Sequence, residues 1–174
     1  MSEMVVPDGW EVFTISDFVS VGRGYAFKSR DYVSIGNPII RVTNISNSNR
    51  LDLSNDVVYL SEDRVDEFSS FILKDDDFLL VMVGATVGKF AEVHTLGCLL
   101  FLNQNMWCLR VKNKKRNSQR FAIHGLQKVV GDFLGTMQGS AREFLTQKEF
   151  GKAFISTPPL PEQQKIASIL TSVD

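Results

Sequence analysis

Thr157-Pro158-Pro159-Leu160-Pro161-Glu162-Gln163-Gln164-Lys165-Ile166-Ala167-Ser168-Ile169-Leu170 marks the main boundary in the chain. Three of the five prolines lie here, and a proline cluster is where regular structure stops and restarts. Pro161 has its φ already set for the first helical position, and Glu162 brings a carboxylate to the positive end of the helix dipole. Ile166, Ile169, Leu170 and Val173 then recur at helical spacing and form one apolar stripe. So short a helix is not stable alone in water, so the stripe predicts a docking face for another helix, with packing back on its own domain as the alternative. The chain stops at Asp174 with neither a glycine cap nor a basic last turn. The helix is therefore expected to continue beyond this sequence.

Upstream, short apolar stretches alternate with polar turns. Ile39 to Val42, Val57 to Leu60, Phe78 to Val83 and Met106 to Val111 read as strands, with Ile40 and Val42 facing a core and Arg41 and Thr43 facing outward. A helix comes after a Ser118 cap. Ala122, Leu126, Val129, Val130 and Phe133 share one of its faces, and Gly135 suits its C-terminal cap.

With 174 residues, 44% of them hydrophobic and 22% charged, the chain has the size and apolar content of one globular domain. Its net charge is -1, so any affinity for nucleic acid must come from a local patch. Cys98 and Cys108 lack ligand spacing and read as buried thiols in a reducing compartment, not as a disulfide or zinc site. No apolar run approaches the roughly 20 residues of a membrane span. The N-terminus has no basic start and no apolar signal core, so a cytoplasmic protein is expected.

Several motifs fail on inspection. Gly84-Ala85-Thr86-Val87-Gly88-Lys89-Phe90 approaches a phosphate-binding loop, but it is one residue short between the glycines and has Phe90 where the magnesium-binding hydroxyl belongs. Thr157-Pro158-Pro159-Leu160 approaches the signature of adenine methyltransferases, yet Leu160 cannot stack on a flipped base as an aromatic would. His94 and His124 have no thiol or carboxylate at ligand spacing, and Asp75-Asp76-Asp77 reads as a solvated turn. No metal site and no catalytic residue is assigned.

The segment from Pro158 to Leu170 resembles the one that closes target recognition domains in the specificity subunits of type I restriction-modification systems. Other elements occur in that family's order: Gly9-Trp10, Gly36-Asn37-Pro38-Ile39-Ile40-Arg41-Val42 with Asn44-Ile45, Asp77-Phe78-Leu79-Leu80, and Gly84 to Lys89. Asn103-Gln104-Asn105 and Gly139-Ser140-Ala141 with Phe144-Leu145 complete the series. The likeness covers essentially the whole chain. It implies an α+β fold, a curved and mostly antiparallel sheet with packed helices over residues 1–157. Residues 158–174 would begin a long, here truncated, helical spacer.

The resemblance also implies sequence-specific binding of double-stranded DNA, reading one half of a bipartite site and directing methyltransferase (modification) and restriction subunits. Such a chain is not an enzyme; S-adenosylmethionine, ATP and Mg belong to the partner subunits. Specificity subunits carry two recognition domains, and this chain has one, so it is a fragment or a short half-subunit that pairs with a second copy. The C-terminal helix would meet the missing half or that copy. A stand-alone restriction endonuclease and a protein-interaction module without DNA affinity are the alternatives, and neither has a positive motif.

The candidate DNA contacts fall in clusters. Arg110, Lys112, Lys114, Lys115, Arg116 and Arg120 place six cations in eleven residues with no acid among them. They suit phosphate binding, with a solvated loop as the alternative. Arg23, Tyr25 and Lys28 stand in a glycine-flanked stretch suited to close approach. Arg41 and Asn44 have paired donors and acceptors for base edges. Thr86 and Lys89, with Arg142 after the Gly139-Ser140 turn, are candidates for the phosphate backbone. Asn103-Gln104-Asn105 is read as a turn or backbone-bonding group.

Overall fold

The computed structural model describes residues 6–95, 97–137 and 146–172. In chain order the strands are β1 (Glu11–Thr14), β2 (Val19–Arg23), β3 (Tyr32–Val33), β4 (Asn37–Ile40), β5 (Val58–Leu60), β6 (Phe78–Val81), β7 (Phe90–Glu92), β8 (Phe101–Leu102), β9 (Met106–Val111) and β10 (Phe154–Thr157). The α-helices are α1 (Ile15–Phe18), α2 (Gln119–Met137), α3 (Gln147–Phe150) and α4 (Leu160–Thr171). The α+β expectation holds, with the strands distributed over three sheets. The chain forms two compact units: Met1–Ser20 with Val111–Asp174, and Val21–Arg110.

In the first unit, β1 pairs antiparallel with β10, placing Phe13 opposite Ile155. α2 begins as expected: the Phe121 N–H donates to Ser118 Oγ at 3.3 Å. Ala122, Leu126, Val129 and Val130 are buried, and Phe133 meets Phe150 edge-on at 5.9 Å. At Gly125 a Cβ would lie 2.6 Å from Ile155 Cδ1, so glycine lets β10 close on the helix. Gly135 is not a cap. It has no positive φ, and α2 runs on to Met137. α4 starts one residue before the expected Pro161, with Pro159 as its N-cap, and buries Gln163 and Ala167.

The second unit holds two four-stranded sheets, ordered β2-β9-β6-β7 and β3-β5-β4-β8. β6 is antiparallel to both β7 and β9, β5 is antiparallel to β3 and β4, and β4 and β8 run parallel. Of the alternation expected at Ile40-Arg41-Val42-Thr43 the facing holds but the strand does not: Val42 packs against the same cluster as Ile40 and Thr43 is exposed, yet Val42–Asn44 form a 3-10 turn. β4 ends at Ile40, and Ile39 and Ile40 are both fully buried. The reason is that β4 lies inside its sheet with both faces covered. Ile39 joins Phe27, Leu60, Phe68 and Phe101, whereas Ile40 joins Leu79, Val81, Leu102 and Cys108. β6 is buried along its whole length for the same reason. Among the described residues no helix is long and apolar enough to cross a membrane.

Candidate nucleic-acid interface

The basic run leads from β9 into α2. A turn organised by Asn113, whose carbonyl accepts from Asn117 N–H at 2.9 Å, folds it. Its cations differ in how free they are. Lys112 Nζ donates to Ser16 O at 2.6 Å, and Arg116 pairs with Glu11 at 2.6 Å. Arg110 does not belong to the run. It lies in the other unit, where its Nε and Nη2 each reach the Asp77 carboxylate at 2.5 Å. Lys114 and Lys115 are exposed and have no side-chain partner among the described residues.

Gln163, which no sequence motif singles out, anchors this loop. It is 1% exposed, donates through Nε2 to Pro158 O at 2.8 Å and Arg116 O at 3.1 Å, and accepts from Ser118 N–H at 2.8 Å. The signal that could have found it is its spacing: Gln163 stands three before Ile166 and four before Ala167, on the inward face of α4. A cleft of about 280 Å³ lies here, lined by Glu11, Phe13, Lys115, Arg116 and Gln163 among others.

In the second unit, Arg23 ends β2 and is exposed. The next stretch is clamped to the turn after β8. Tyr25 N–H donates to Leu102 O at 3.0 Å, Gln104 N–H donates to Tyr25 O at 2.9 Å, and a Cβ at Gly24 would lie 1.8 Å from Asn103 O. The Tyr25 ring is 38% exposed and backed by Phe27, Phe68 and Phe71, with centroids 4.9 to 5.2 Å away. Lys28 is exposed; its N–H donates to Asp31 at 2.8 Å. That N–H and the Arg64 guanidinium hold the Asp31 carboxyl below the usual aspartate range. Asn103 is buried and takes the backbone-bonding role, its Oδ1 accepting from Gln104 N–H at 2.7 Å.

Arg41 and Asn44 organise the loop after β4. Arg41 pairs with Asp56 at 2.7 Å, and this guanidinium keeps the Asp56 carboxyl below its ordinary range. Asn44 is wholly buried, which corrects its expected place among base-reading residues. Its Oδ1 accepts from Arg41 N–H at 3.0 Å and its Nδ2 faces the carbonyls of Asp52, Asn55 and Asp56. Thr86 and Lys89 belong to the hairpin between β6 and β7, where Gly84 and Gly88 take positive φ. Both are half-buried, and Lys89 Nζ donates to Asn47 Oδ1 at 2.7 Å.

The structure thus places the candidates on both units. Arg142 and Val173 lie outside the described residues. Of the α4 stripe, Ile169 and Leu170 are 55% and 41% exposed, and Ile166 is half-buried. Cys108 is buried but Cys98 is exposed, a correction to the expected pair of buried thiols; both are free. Asp77 is not part of a solvated turn, because Arg110 draws it into the interior.

Residues 7–174 match a family model described as the type I restriction modification DNA specificity domain. The chain is 25% identical over 175 residues to a putative type I restriction enzyme MjaX specificity subunit of Methanocaldococcus jannaschii, covering 97% of this chain and 40% of that protein. It is 26% identical over 190 residues to the MjaVIII specificity subunit of the same organism, covering 100% and 38%. An EcoAI specificity subunit of Escherichia coli is 31% identical over 75 residues, covering 43% of this chain and 12% of that protein. The chain spans about two fifths of the length of the two Methanocaldococcus relatives. All three are specificity subunits by name, which fits the expectation of a non-catalytic chain.

The fold is shared with solved structures. A chain from a study of type I R-M complex assembly superposes with a TM-score of 0.70 at 16% identity, covering 99% of this chain and 40% of that one. The HsdS subunit from Thermoanaerobacter tengcongensis gives 0.67 at 17% identity, covering 99% and 39%. With the family model matched from residue 7 to residue 174, the chain belongs to the type I restriction modification DNA specificity domain family.

Proposed function

We propose that this chain binds duplex DNA sequence-specifically, reads one half of a bipartite site, and thereby directs the modification and restriction subunits of a type I system in the cytoplasm. The observation that carries the reading is the pair Lys114 and Lys115, exposed and unpartnered among the described residues in a chain of net charge -1. Phosphate contacts supply affinity without sequence information, and a compact, free ammonium is suited to them. Arg23, Tyr25, Lys28 and Arg41 are the proposed groove-facing residues, with Thr86, Lys89, Lys112, Arg116 and Arg142 supporting the backbone. Adenine methylation and ATP-driven cleavage, with S-adenosylmethionine, ATP and Mg, fall to the partner subunits.

Residues 1–157 are the proposed recognition domain and 158–174 the start of its spacer. The exposed Ile169 and Leu170 would meet the helix of a second recognition domain or of a second copy. Salt-titrated binding tests the reading. The chain should bind duplexes more weakly as salt rises, and Lys114→Glu with Lys115→Glu should lower the logarithmic salt slope by about 2, equally for all sequences. Binding that is undetectable at low salt, or indifferent to salt, would overturn it.

A further inference from the structure

Ser46-Asn47-Ser48-Asn49-Arg50 lies outside the candidate contacts named so far, and it is built as a rigid presenting turn. An antiparallel bridge between Ile45 and Leu51 closes its base. Above that, Ser46 N–H donates to Arg50 O at 2.9 Å and Asn49 N–H to Ser46 O at 3.1 Å, while Arg50 N–H donates to Ser46 Oγ at 3.1 Å. Asn49 takes φ of 57°, in the left-handed region that asparagine tolerates. Its side chain then ties the turn to the neighbouring hairpin, Oδ1 accepting from Phe90 N–H at 3.2 Å. The bond from Lys89 to Asn47 is a second tie. At its root, Ile45 is buried in the cluster of Leu79 and Val81, with Leu51 packed against it.

This scaffold leaves one long side chain uncommitted. Arg50 is exposed, and among the described residues its guanidinium has no hydrogen bond or ion pair. The acids of the same loop are already engaged. Asp52 Oδ1 accepts from Ser54 N–H at 2.9 Å and from Ser54 Oγ, and Asp56 is held by Arg41. Arg41, Arg64, Arg110 and Arg116, by contrast, each face a carboxylate. A planar fork of five donors on a fixed root is what bidentate recognition of a base edge requires. The compact charge of Lys89 beside the turn suits the phosphates.

We infer that the Ser46–Arg50 turn enters the major groove and that Arg50 reads the O6 and N7 acceptors of a guanine. The inference rests on the DNA-reading function proposed above. The test begins with the full chain selecting duplexes from a randomised pool, then measures binding to the selected and a scrambled duplex across salt, with thermal melting to confirm folding. Arg50→Ala should lose tenfold or more on the selected duplex and little on the scrambled one. Arg50→Lys, which keeps the charge without the fork, should not restore the loss. A uniform loss on both duplexes, with the salt slope lower by about 1, would make Arg50 a phosphate contact and overturn base reading. Unchanged binding would remove the turn from the interface. A wild-type chain that selects no sequence refutes the DNA-reading function itself, before any variant is made.

Discussion

Each unit of the molecule holds polar groups in its interior, and the most heavily bonded of each differ in kind. Between the strands of the Val21–Arg110 unit it is a charged pair. Asp77, 2% exposed, receives both Arg110 donors and the Lys74 N–H at 2.8 Å. In the helical unit it is the neutral amide of Gln163, whose donors and acceptor are all met by the backbone and by Asn117. A buried ion pair holds as long as both members remain, and losing one strands a charge in a poor solvent. A buried amide loses only hydrogen bonds, and no pH change within the ordinary range alters it. The strand unit is therefore the one that adds a buried carboxylate to its neutral amides, Asn44 and Asn103.

The largest effect should come from breaking the pair. Asp77→Ala is expected to cost about 2 to 3 kcal/mol, read as a lower urea midpoint, because the Lys74 N–H and the half-buried Arg110 guanidinium both lose their acceptor; a loss below about 1 kcal/mol would mean that water replaces the carboxylate. Gln163→Leu should cost less, about 2 kcal/mol, since Ser118 N–H and two carbonyls lose their partner. That difference should be the same at every pH, and a pH-dependent difference would erase the contrast between the units. Ile169→Asp with Leu170→Asp should leave the melting temperature unchanged and abolish association with a partner helix, because both residues are exposed. A collapse in melting temperature would return the stripe to its own domain.

The smallest effect concerns acid. The folded-state pKa of Asp31 lies below its ordinary value of 3.8. Its stabilisation is therefore complete above that value and fades as pH falls through the depressed one. Arg64 bridges Asp31 at 2.9 Å, and both belong to the strand unit. Acid should loosen amides of that unit in hydrogen exchange, and Asp31→Asn should remove the part that depends on Lys28 and Arg64. An unchanged acid profile in the variant would assign the sensitivity to another group.

Where periodicity met a one-sided element, the sequence was a good guide. The stripe Ala122, Leu126, Val129 and Val130 is buried as its spacing requires, because α2 has one face to cover. At Ile39 to Val42 it misled on the extent of the strand, which ends at Ile40 with both Ile39 and Ile40 fully buried because its two faces are covered. The strand there stops where Asn44 captures the Arg41 N–H, a side-chain bond that no window of hydrophobicity registers. The candidate site suffered from the same blindness to pairing. Six cations close in sequence looked like one patch, yet Arg110 turns inward to Asp77 and Arg116 meets Glu11, a carboxylate from the far end of the chain. Arg50 gives no signal in the sequence because a single arginine in a polar turn has no neighbours to announce it; the turn beneath it and the commitments of Asp52 and Asp56 single it out.

β2 and β9, through which the chain enters and leaves the Val21–Arg110 unit, are neighbours in one sheet. The ends of that excursion are thus about 5 Å apart, one strand spacing. An insertion whose ends already touch can be transplanted without stretching the chain it interrupts, and the closure entropy changes little if the graft is longer or shorter. Recombination at Val21 and Arg110 would exchange Tyr25, the Arg41 loop and the Ser46–Arg50 turn in one event. The Gln163 anchor and the Lys114-Lys115 pair would stay behind, so on the function proposed above a new DNA preference would arrive as a cassette, with Lys114 and Lys115 kept as phosphate contacts and Thr86 and Lys89 exchanged.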